Sequence, residues 1–289
     1  MRIVHAHTLA VDGLHVNVAE WGAGSPVVLL HGLVGSLDYW APFAERLART
    51  HRVIALDVPG HGNSEALSDF TFENVVHVLQ GATEQLHAEC PAVVGHSFGA
   101  PLAVCWAATH RLASMVLASP VGLVHVHARR ARLVMPFRGA LTRTLGLWES
   151  AASSRRLGRR VVFGWFVGMS ELDNLEPDTA RQMLRGAAKA APVVGSALPA
   201  LETLDLERVI AGVDTRTLVV WGEHDKSGWA NGPGLADALG GEELVLPGVG
   251  HMPMIEAPYS FGLAVADFVD EGASPAAGPA RLTATRPRR

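Results

Sequence analysis

Short apolar runs alternate along the chain with longer segments in which apolar residues recur every three or four positions. A short, continuous apolar run predicts a strand buried on both faces of a sheet, whereas the longer period predicts a helix. Near the start, Asp12-Gly13 joins two alternating segments and predicts a hairpin. The strands are predicted at residues 3–11, 14–20, 26–30, 53–56, 91–94, 115–118, 217–221 and 244–246.

Helical segments fall between these strands, and Thr71 is a candidate N-cap for one of them. Strands that alternate with helices on both sides of a long gap predict one mostly parallel sheet, covered by helices on both faces. The fold class is therefore predicted to be α/β, with an eight-stranded sheet. The helices are predicted at residues 37–49, 72–88, 100–108, 234–239 and 259–269.

The strand pattern is absent between Pro120 and Asp214, where the chain is helix-like. Because this stretch begins and ends at sheet strands, we expect a helical cap inserted above the sheet. The predicted organisation is a core of residues 1–120 and 214–271, a cap of 121–213, and a disordered tail of 272–289 that is rich in Ala, Pro and Gly. Breaks between cap helices are predicted at Pro136, Gly146, Gly158, Pro177, Pro192 and Pro199.

The composition indicates a globular protein: 289 residues, 48% hydrophobic and 18% charged, suffice for one large core with an inserted subdomain. A net charge of −4 gives no reason to expect a nucleic-acid partner. Cys90 and Cys105 match neither a disulfide framework nor a metal site. The first residues lack the apolar core of a signal peptide, and no segment predicts stable membrane insertion. We expect a cytoplasmic protein without cofactor or metal, and leave the oligomeric state open.

The segment Gly95-His96-Ser97-Phe98-Gly99 lies between an apolar run and a helix-like run. A serine with glycines two positions before and after it is the pattern of a nucleophile elbow, a strained turn that raises the hydroxyl above the sheet. Only very small residues at the glycine positions let the strand and the helix approach that closely. A glycine-rich turn without chemistry is the weaker alternative, because partners for the serine follow later in the chain.

A serine hydroxyl needs a base to remove its proton, and the base needs a carboxylate to orient it. Asp225 follows one late predicted strand and His251 follows the next. Both therefore lie at the carboxyl edge of the sheet, where open α/β sheets bind ligands. Glu223 is a rival acid, and Asp225 is preferred because it lies further along the loop. The predicted catalytic residues are Ser97, Asp225 and His251.

Acyl transfer also needs donors for the oxyanion that forms on the attacked carbonyl group. The backbone N–H of Phe98, directly after the serine, is one candidate. The N–H of Leu33 is the other, because the glycine before it lets the backbone turn inward after the third strand. For Trp40, core packing explains the residue as well as a pocket does. The predicted pocket residues are His31, Gly32, Trp40 and Trp165.

With these motifs the chain resembles the α/β-hydrolase superfamily, and in particular its capped members: small esterases, carbon–carbon bond hydrolases and cofactor-free haloperoxidases. The resemblance implies the fold predicted above and a triad in the chain order Ser, Asp, His. Haloalkane dehalogenases and epoxide hydrolases are disfavoured, because they carry an aspartate where this chain has Ser97. The glycine-rich segment 57–64 also matches, and we interpret it as a structural turn. The matching segments are His31-Gly32, 57–64, the serine elbow, 221–225 and Gly250-His251.

The leading hypothesis is a serine hydrolase that cleaves a small-molecule carboxylic ester with an apolar acyl or alcohol part, through an acyl-enzyme. The alternatives are a carbon–carbon hydrolase of ring-cleavage products, a cofactor-free haloperoxidase or perhydrolase and, as the weakest, a non-catalytic ligand-binding protein. Residues 129–160 contain nine arginines and one acid, Glu149. A solvated helix face is the simpler interpretation, and a cap that attracts anionic substrates is the alternative.

Overall fold

A computed structural model describes residues 5–121, 156–225 and 234–273 of the chain. Its centre is one sheet of eight strands, the number predicted from the apolar pattern. In chain order the strands are β1 (His5–Val11), β2 (Leu14–Trp21), β3 (Pro26–Leu30), β4 (Arg52–Leu56), β5 (Ala92–His96), β6 (Ser114–Ala118), β7 (Thr217–Gly222) and β8 (Glu242–Leu246).

The sheet is mostly parallel, and its strands lie in the order β1-β2-β4-β3-β5-β6-β7-β8. Antiparallel pairing is confined to β1 with β2 and β2 with β4, whereas β3 pairs in parallel with both β4 and β5. The chain therefore leaves β3 toward β4 on one side and later returns to β5 on the other. This reversal is a switch point, and ligands of open α/β sheets bind outside the carboxyl ends of the strands there. The predicted α/β class is confirmed.

Helices cover both faces of this sheet. Four of the five predicted helices are present as α-helices, and the fifth, 37–49, is a 3-10 turn, Leu37–Trp40, followed by a separate α-helix. The α-helices are α1 (Ala41–Leu47), α2 (Phe72–Gln85), α3 (Gly99–Thr109), α4 (Arg156–Arg159), which continues as a π-helix over Arg160–Val167, α5 (Pro177–Thr203), α6 (Leu206–Ala211), α7 (Leu235–Ala238), α8 (Pro253–Glu256) and α9 (Pro258–Ala273).

The apolar runs of β3 to β7 are buried on both faces because each face has its own core. In β3, Val28 and Leu30 pack in the cluster that contains α2 and α3, while Val27 and Leu29 pack in the cluster that contains α1 and α9. Successive strand side chains point to opposite faces of a sheet. A strand covered on both sides must therefore be apolar at every position, which is the pattern that β3 shows.

Local signals in the sequence explain two of the boundaries. Asp12 and Gly13 adopt positive φ angles of 49° and 83°, as a tight hairpin between right-twisted strands requires. The Thr71 hydroxyl accepts a hydrogen bond from the backbone N–H of Asn74 at 3.1 Å and so caps α2, as predicted. Such a cap satisfies one of the N–H groups left unpaired at the start of a helix.

The predicted breaks at Gly158, Pro192 and Pro199 are wrong. Gly158 lies inside α4, and α5 runs through both prolines. An interior proline destabilises a helix by about 3 kcal/mol because it removes a hydrogen bond and clashes with the preceding turn. Tertiary packing offsets this cost, since α5 buries one row of apolar side chains in the core. That row is Ala190, Val193, Ala197 and Leu201.

Between β6 and β7 the described residues 156–213 form α4 with its π-helical continuation, α5 and α6, and α5 packs on the segment 57–64. A Cβ atom on Gly60 would lie 2.8 Å from Val193 Cγ2, and Lys189 Nζ donates to Asn63 Oδ1 at 2.5 Å. The predicted cap residues 122–155 and tail residues 274–289 lie outside the described part of the chain. Within the described part, no helix is both long and apolar enough to cross a membrane.

Candidate active site

Ser97 lies in a strained turn between β5 and α3. Its φ angle is +53°, a conformation that is uncommon for residues other than glycine. The flanking glycines are required by contact: a Cβ atom on Gly95 would lie 2.4 Å from the Gly99 carbonyl oxygen, and one on Gly99 would lie 2.4 Å from that of Leu30. The strand, the turn and the helix therefore pack at backbone contact. This is the geometry of a nucleophile elbow.

The His251 imidazole lies between a hydroxyl and a carboxylate. Its Nε2 atom is 3.0 Å from Ser97 Oγ, and its Nδ1 atom is 2.9 Å from Asp225 Oδ2. A carboxylate only accepts hydrogen bonds, so Nδ1–H donates to Asp225 and Nε2 is left to accept from the Ser97 hydroxyl. The side chains of His251 and Asp225 are 9% and 2% exposed. Little water therefore competes for these hydrogen bonds.

The loops after β7 and β8 bring Asp225 and His251 together. A Cβ atom on Gly222, the last residue of β7, would lie 2.1 Å from the Gly250 carbonyl oxygen, so the two loops touch at their bases. The N–H of His224 also donates to the carbonyl of Val249 at 2.8 Å. The rival acid Glu223 points elsewhere, since it accepts the N–H of Gly248 at 2.9 Å. Asp225 is thus the acid that meets His251.

The predicted oxyanion donors lie on either side of the elbow. Gly32 is adjacent to the serine, because a Cβ atom there would lie 3.0 Å from Ser97 Cβ. The Gly32 N–H is already used, as it donates to Tyr39 Oη at 2.6 Å. Within the described residues, the N–H groups of Leu33 and Phe98 donate to no other backbone or side-chain atom. Both remain available to a substrate oxygen, and their role stays a proposal.

A buried chain of hydrogen bonds joins the loop after β3 to the loop of His251. His96 Nε2 lies 2.8 Å from the His251 carbonyl oxygen, and because a carbonyl only accepts, Nε2 carries the proton. His96 Nδ1 therefore accepts from the Tyr39 hydroxyl at 2.9 Å. That hydroxyl in turn accepts the N–H of Gly32. One tyrosine and one imidazole thus fix the spacing between the two loops.

Two further imidazoles, those of His31 and His61, make hydrogen bonds to the backbone near this chain of hydrogen bonds. His31 Nδ1 donates to the Gly32 carbonyl at 2.8 Å, and its Nε2 accepts the N–H of Val58 at 3.0 Å. His61 Nε2 donates to the carbonyl of Leu33. Burial lowers the pKa of both His31 and His61 from 6.5 to about 4. It lowers that of His96 to about 3, with the neighbouring His251 as a second cause.

The remaining predicted pocket residues have different surroundings. Trp40 is fully buried and packs against Phe43 and His96, with ring centroids 5.6 and 6.3 Å apart, so it belongs to the core. The side chains of Trp165 and Arg156, and the arginines at 129–155, lie outside what the structure describes. Arg159 and Arg160 line a polar cavity with two acidic residues, so the charge there is mixed. That cavity is lined by Arg159, Arg160, Ser170, Glu171, Leu172 and Asp173.

Sequence reasoning missed two residues that touch this site. Tyr39 lies in an ordinary aromatic pair with Trp40, and nothing in the pattern indicates that its hydroxyl reaches His96. Glu256 is 3% exposed and accepts hydrogen bonds from the residues that flank His251. A signal for Glu256 existed, because it is an acid within an apolar stretch, Met252-Pro-Met-Ile-Glu. Acids are rarely buried unless they are paired.

Two comparisons at the level of sequence agree with this architecture. A family model described as the alpha/beta hydrolase fold matches residues 25–258. The dihydrolipoyllysine-residue acetyltransferase component of the acetoin cleaving system of Cupriavidus necator is 31% identical over 224 residues, which is 75% of this chain. The match covers 56% of that component, so the chain spans little more than half the length of this relative.

Two further proteins match nearly the whole chain. The 2-hydroxymuconate semialdehyde hydrolase of Pseudomonas sp. (strain CF600) is 28% identical over 278 residues, covering 90% of this chain and 92% of that protein. The crystal structure of the enol-lactonase from Burkholderia xenovorans LB400 is similar with a TM-score of 0.70 and 23% identity, covering 91% of this chain and 100% of that one. At this identity the structural match shows the fold alone.

Proposed function

The chain belongs to the alpha/beta hydrolase fold family, and we propose that it is a serine hydrolase that cleaves a carboxylic ester with an apolar acyl or alcohol part. One observation carries the proposal: the His251 imidazole lies 3.0 Å from Ser97 Oγ and 2.9 Å from Asp225 Oδ2. A base within reach of the hydroxyl, oriented by a third group, is the arrangement that activates a serine nucleophile.

In the first half-reaction Ser97 Oγ attacks the ester carbonyl carbon as its proton passes to His251 Nε2. The carbonyl electron pair moves onto oxygen, and the Asp225 carboxylate stabilises the imidazolium that forms. The N–H groups of Phe98 and Leu33 receive the oxyanion, and each such donor contributes about 3 kcal/mol to the stability of the transition state. The intermediate then collapses: the bond to the alcohol oxygen breaks, and His251 gives that oxygen its proton.

The second half-reaction repeats these steps with water. His251 takes a proton from water as the oxygen attacks the acyl carbon, and the tetrahedral intermediate forms at the same donors. Collapse breaks the bond to Ser97 Oγ, which recovers its proton from Nε2. The acid product leaves, and the enzyme returns to its starting state. Neither step needs a group beyond the substrate, water and these side chains.

We infer the preference for an apolar substrate from the apolar side chains that pack around the elbow. Phe98 and Val121 are buried members of one apolar cluster, which also contains Val193 from α5. The Val121 N–H donates to the Ser97 carbonyl at 3.3 Å, so Val121 lies directly beside the elbow. In this proposal residues 121–213 form a cap over the serine. Binding sites lined by apolar side chains with a few polar groups suit small apolar ligands.

A fluorophosphonate probe tests the nucleophile. Wild-type protein should be labelled at Ser97, and Ser97→Ala should not, with a circular dichroism spectrum that shows the variant to be folded. An ester panel graded by acyl length should then show hydrolysis that Ser97→Ala abolishes. A folded wild type that is neither labelled nor active on any ester would exclude the proposal and favour a ligand-binding protein.

The likeness to 2-hydroxymuconate semialdehyde hydrolase over 90% of the chain favours a second candidate. In this alternative the same triad acts on a ring-cleavage product and breaks a carbon–carbon bond. A vinylogous 1,5-diketone acid assayed beside the ester panel separates the two. A kcat/KM for the diketone acid well above that of every ester would replace the first proposal with the second.

A further inference from the structure

Glu256, the last residue of α8, accepts four backbone hydrogen bonds although it is almost fully buried. Its Oε2 atom accepts the N–H groups of Ser170 at 2.6 Å, Glu171 at 2.8 Å and Gly250 at 2.9 Å. Its Oε1 atom accepts the N–H of Met252 at 2.8 Å. A buried carboxylate is stable only when hydrogen bonds replace its hydration. Here those bonds come from two segments distant in sequence.

The two segments meet at His251. Gly250 and Met252 flank this histidine, so the carboxylate binds the backbone on both sides of it. The N–H of His251 itself donates to the Gly168 carbonyl at 3.0 Å, and its carbonyl accepts from His96 Nε2 at 2.8 Å. The backbone of His251 is therefore held by the segment 168–171 on one side and by β5 on the other.

Close packing supports the same contact. A Cβ atom on Gly250 would lie 2.4 Å from the Gly168 carbonyl oxygen and 2.6 Å from the Ser170 nitrogen. The two backbones thus touch without an intervening side chain. Asn174 adds a second tie, because its Nδ2 atom donates to the backbone carbonyl of Glu256 at 2.8 Å. The region between β6 and β7 is thereby attached to the His251 loop through Glu256 as well as through the Gly168 carbonyl.

We propose that Glu256 is a positioning residue, which sets the His251 imidazole between Ser97 and Asp225 and couples it to the segment 168–171. The proposal rests on the proposed function, in which His251 is the base. The His251 imidazole can turn only about its side-chain bonds. The position of its Nε2 atom therefore depends on the position of the backbone that carries it. A misplacement of about 1 Å can lower a rate by about 100-fold.

Glu256→Gln is the variant that tests this role. A glutamine has nearly the same shape, but it offers one acceptor oxygen, and its NH₂ group must face an N–H donor. The His251 backbone then loses part of its support. We expect kcat to fall by about tenfold or more, because the reacting geometry changes, while KM changes by about twofold or less.

The labelling rate with a fluorophosphonate distinguishes positioning from folding. Loss of folded protein lowers the amount of Ser97 that is labelled, whereas loss of positioning lowers the rate at which each site reacts. We expect full labelling of Glu256→Gln at a rate about tenfold lower. The matched control is Glu223→Gln, which likewise replaces a carboxylate that accepts an N–H of this loop, that of Gly248, but at an exposed position. Its labelling rate should equal that of the wild type.

The outcomes separate the two proposals. A wild type that is not labelled refutes the proposed function itself. A labelled wild type with Glu256→Gln reacting at the same rate per site leaves the proposed function intact and overturns the role of Glu256. If Glu256→Gln does not fold, Asn174→Ala decides, since it removes one tie and leaves the carboxylate in place. We then expect a labelling rate about two- to fivefold lower, and an unchanged rate would overturn the proposal.

Discussion

We predict that mild acid destabilises the fold through three buried histidines: His31, His61 and His96. Burial lowers the pKa of the first two from 6.5 to about 4, and that of His96 from 6.5 to about 3. Each imidazole is neutral in the native state and makes a specific hydrogen bond. His31 and His96 accept one through the unprotonated nitrogen, and His61 donates one through the protonated nitrogen. In the unfolded chain each would take up a proton near pH 6.5.

The size of the effect follows from this difference. Between pH 6.5 and about 4 the unfolded state binds a proton at each histidine that the native state does not. The free energy of unfolding therefore falls with falling pH, by about 1.4 kcal/mol per pH unit for each histidine. Three histidines give about 4 kcal/mol per pH unit, against about 5–15 kcal/mol for a typical domain. Above pH 6.5 the contribution is fully present.

Urea unfolding followed by tryptophan fluorescence, between about pH 6.5 and about pH 5 with a reference at about pH 7.5, measures this slope. Burial raises the pKa of Asp57 above its usual 3.8, and that carboxyl acts in the opposite direction, so it reduces the measured slope at the acid end of the range. His61→Gln keeps a donor for the Leu33 carbonyl and should reduce the slope by about one third. His77→Gln, at an exposed position, is the matched control. An unfolding free energy that is constant over this range would refute the reasoning.

Three further predictions concern the site. Asp225→Asn should lower kcat by about 10⁴-fold, because an amide no longer stabilises the imidazolium or fixes its tautomer; steady-state kinetics on the preferred ester measures this, and a loss under tenfold would contradict it. Tyr39→Phe removes the donor to a buried imidazole and should lower the unfolding free energy by about 1–3 kcal/mol and slow fluorophosphonate labelling of Ser97; wild-type values of both would contradict it. Gly95→Ala forces a Cβ atom to 2.4 Å from a backbone oxygen and should abolish soluble folded protein, as judged by gel filtration. A folded, active Gly95→Ala would show that strand and helix can separate.

The residues that the sequence identified as candidates have local signals. Ser97 is flanked by glycines because backbone contacts of 2.4 Å leave no room for a Cβ atom, and that need is visible as a pattern of five residues. Asp225 and His251 each follow an apolar run, which predicts a loop at the end of a parallel strand. The sheet brings these loops together, because the carboxyl ends of its parallel strands meet at one edge. The eight strands were predictable because they too have local signals in the sequence.

The residues that the sequence did not identify act over long distances in the chain. Tyr39 reaches His96 across 57 positions, and Glu256 reaches Ser170 across 86. No short-range pattern encodes such contacts, because they depend on how two loops pack after the sheet has formed. Pro192 was misjudged for a related reason. Its local effect on the helix is unfavourable, but the packing of α5 on the core decides the outcome.

The fold and the proposed reaction require the same protonation state at the sheet edge. His96 accepts from Tyr39 through Nδ1 and donates to the His251 carbonyl through Nε2, which only the neutral imidazole can do. A proton on Nδ1 would make this atom a donor, so the Tyr39 hydroxyl would accept from it and the hydroxyl hydrogen would lose its buried acceptor. The chain of hydrogen bonds between the loop that carries Leu33 and the loop that carries His251 would then be weakened at this link. Burial, by keeping this imidazole neutral, therefore stabilises the spacing between the proposed donor and the proposed base as well as the core.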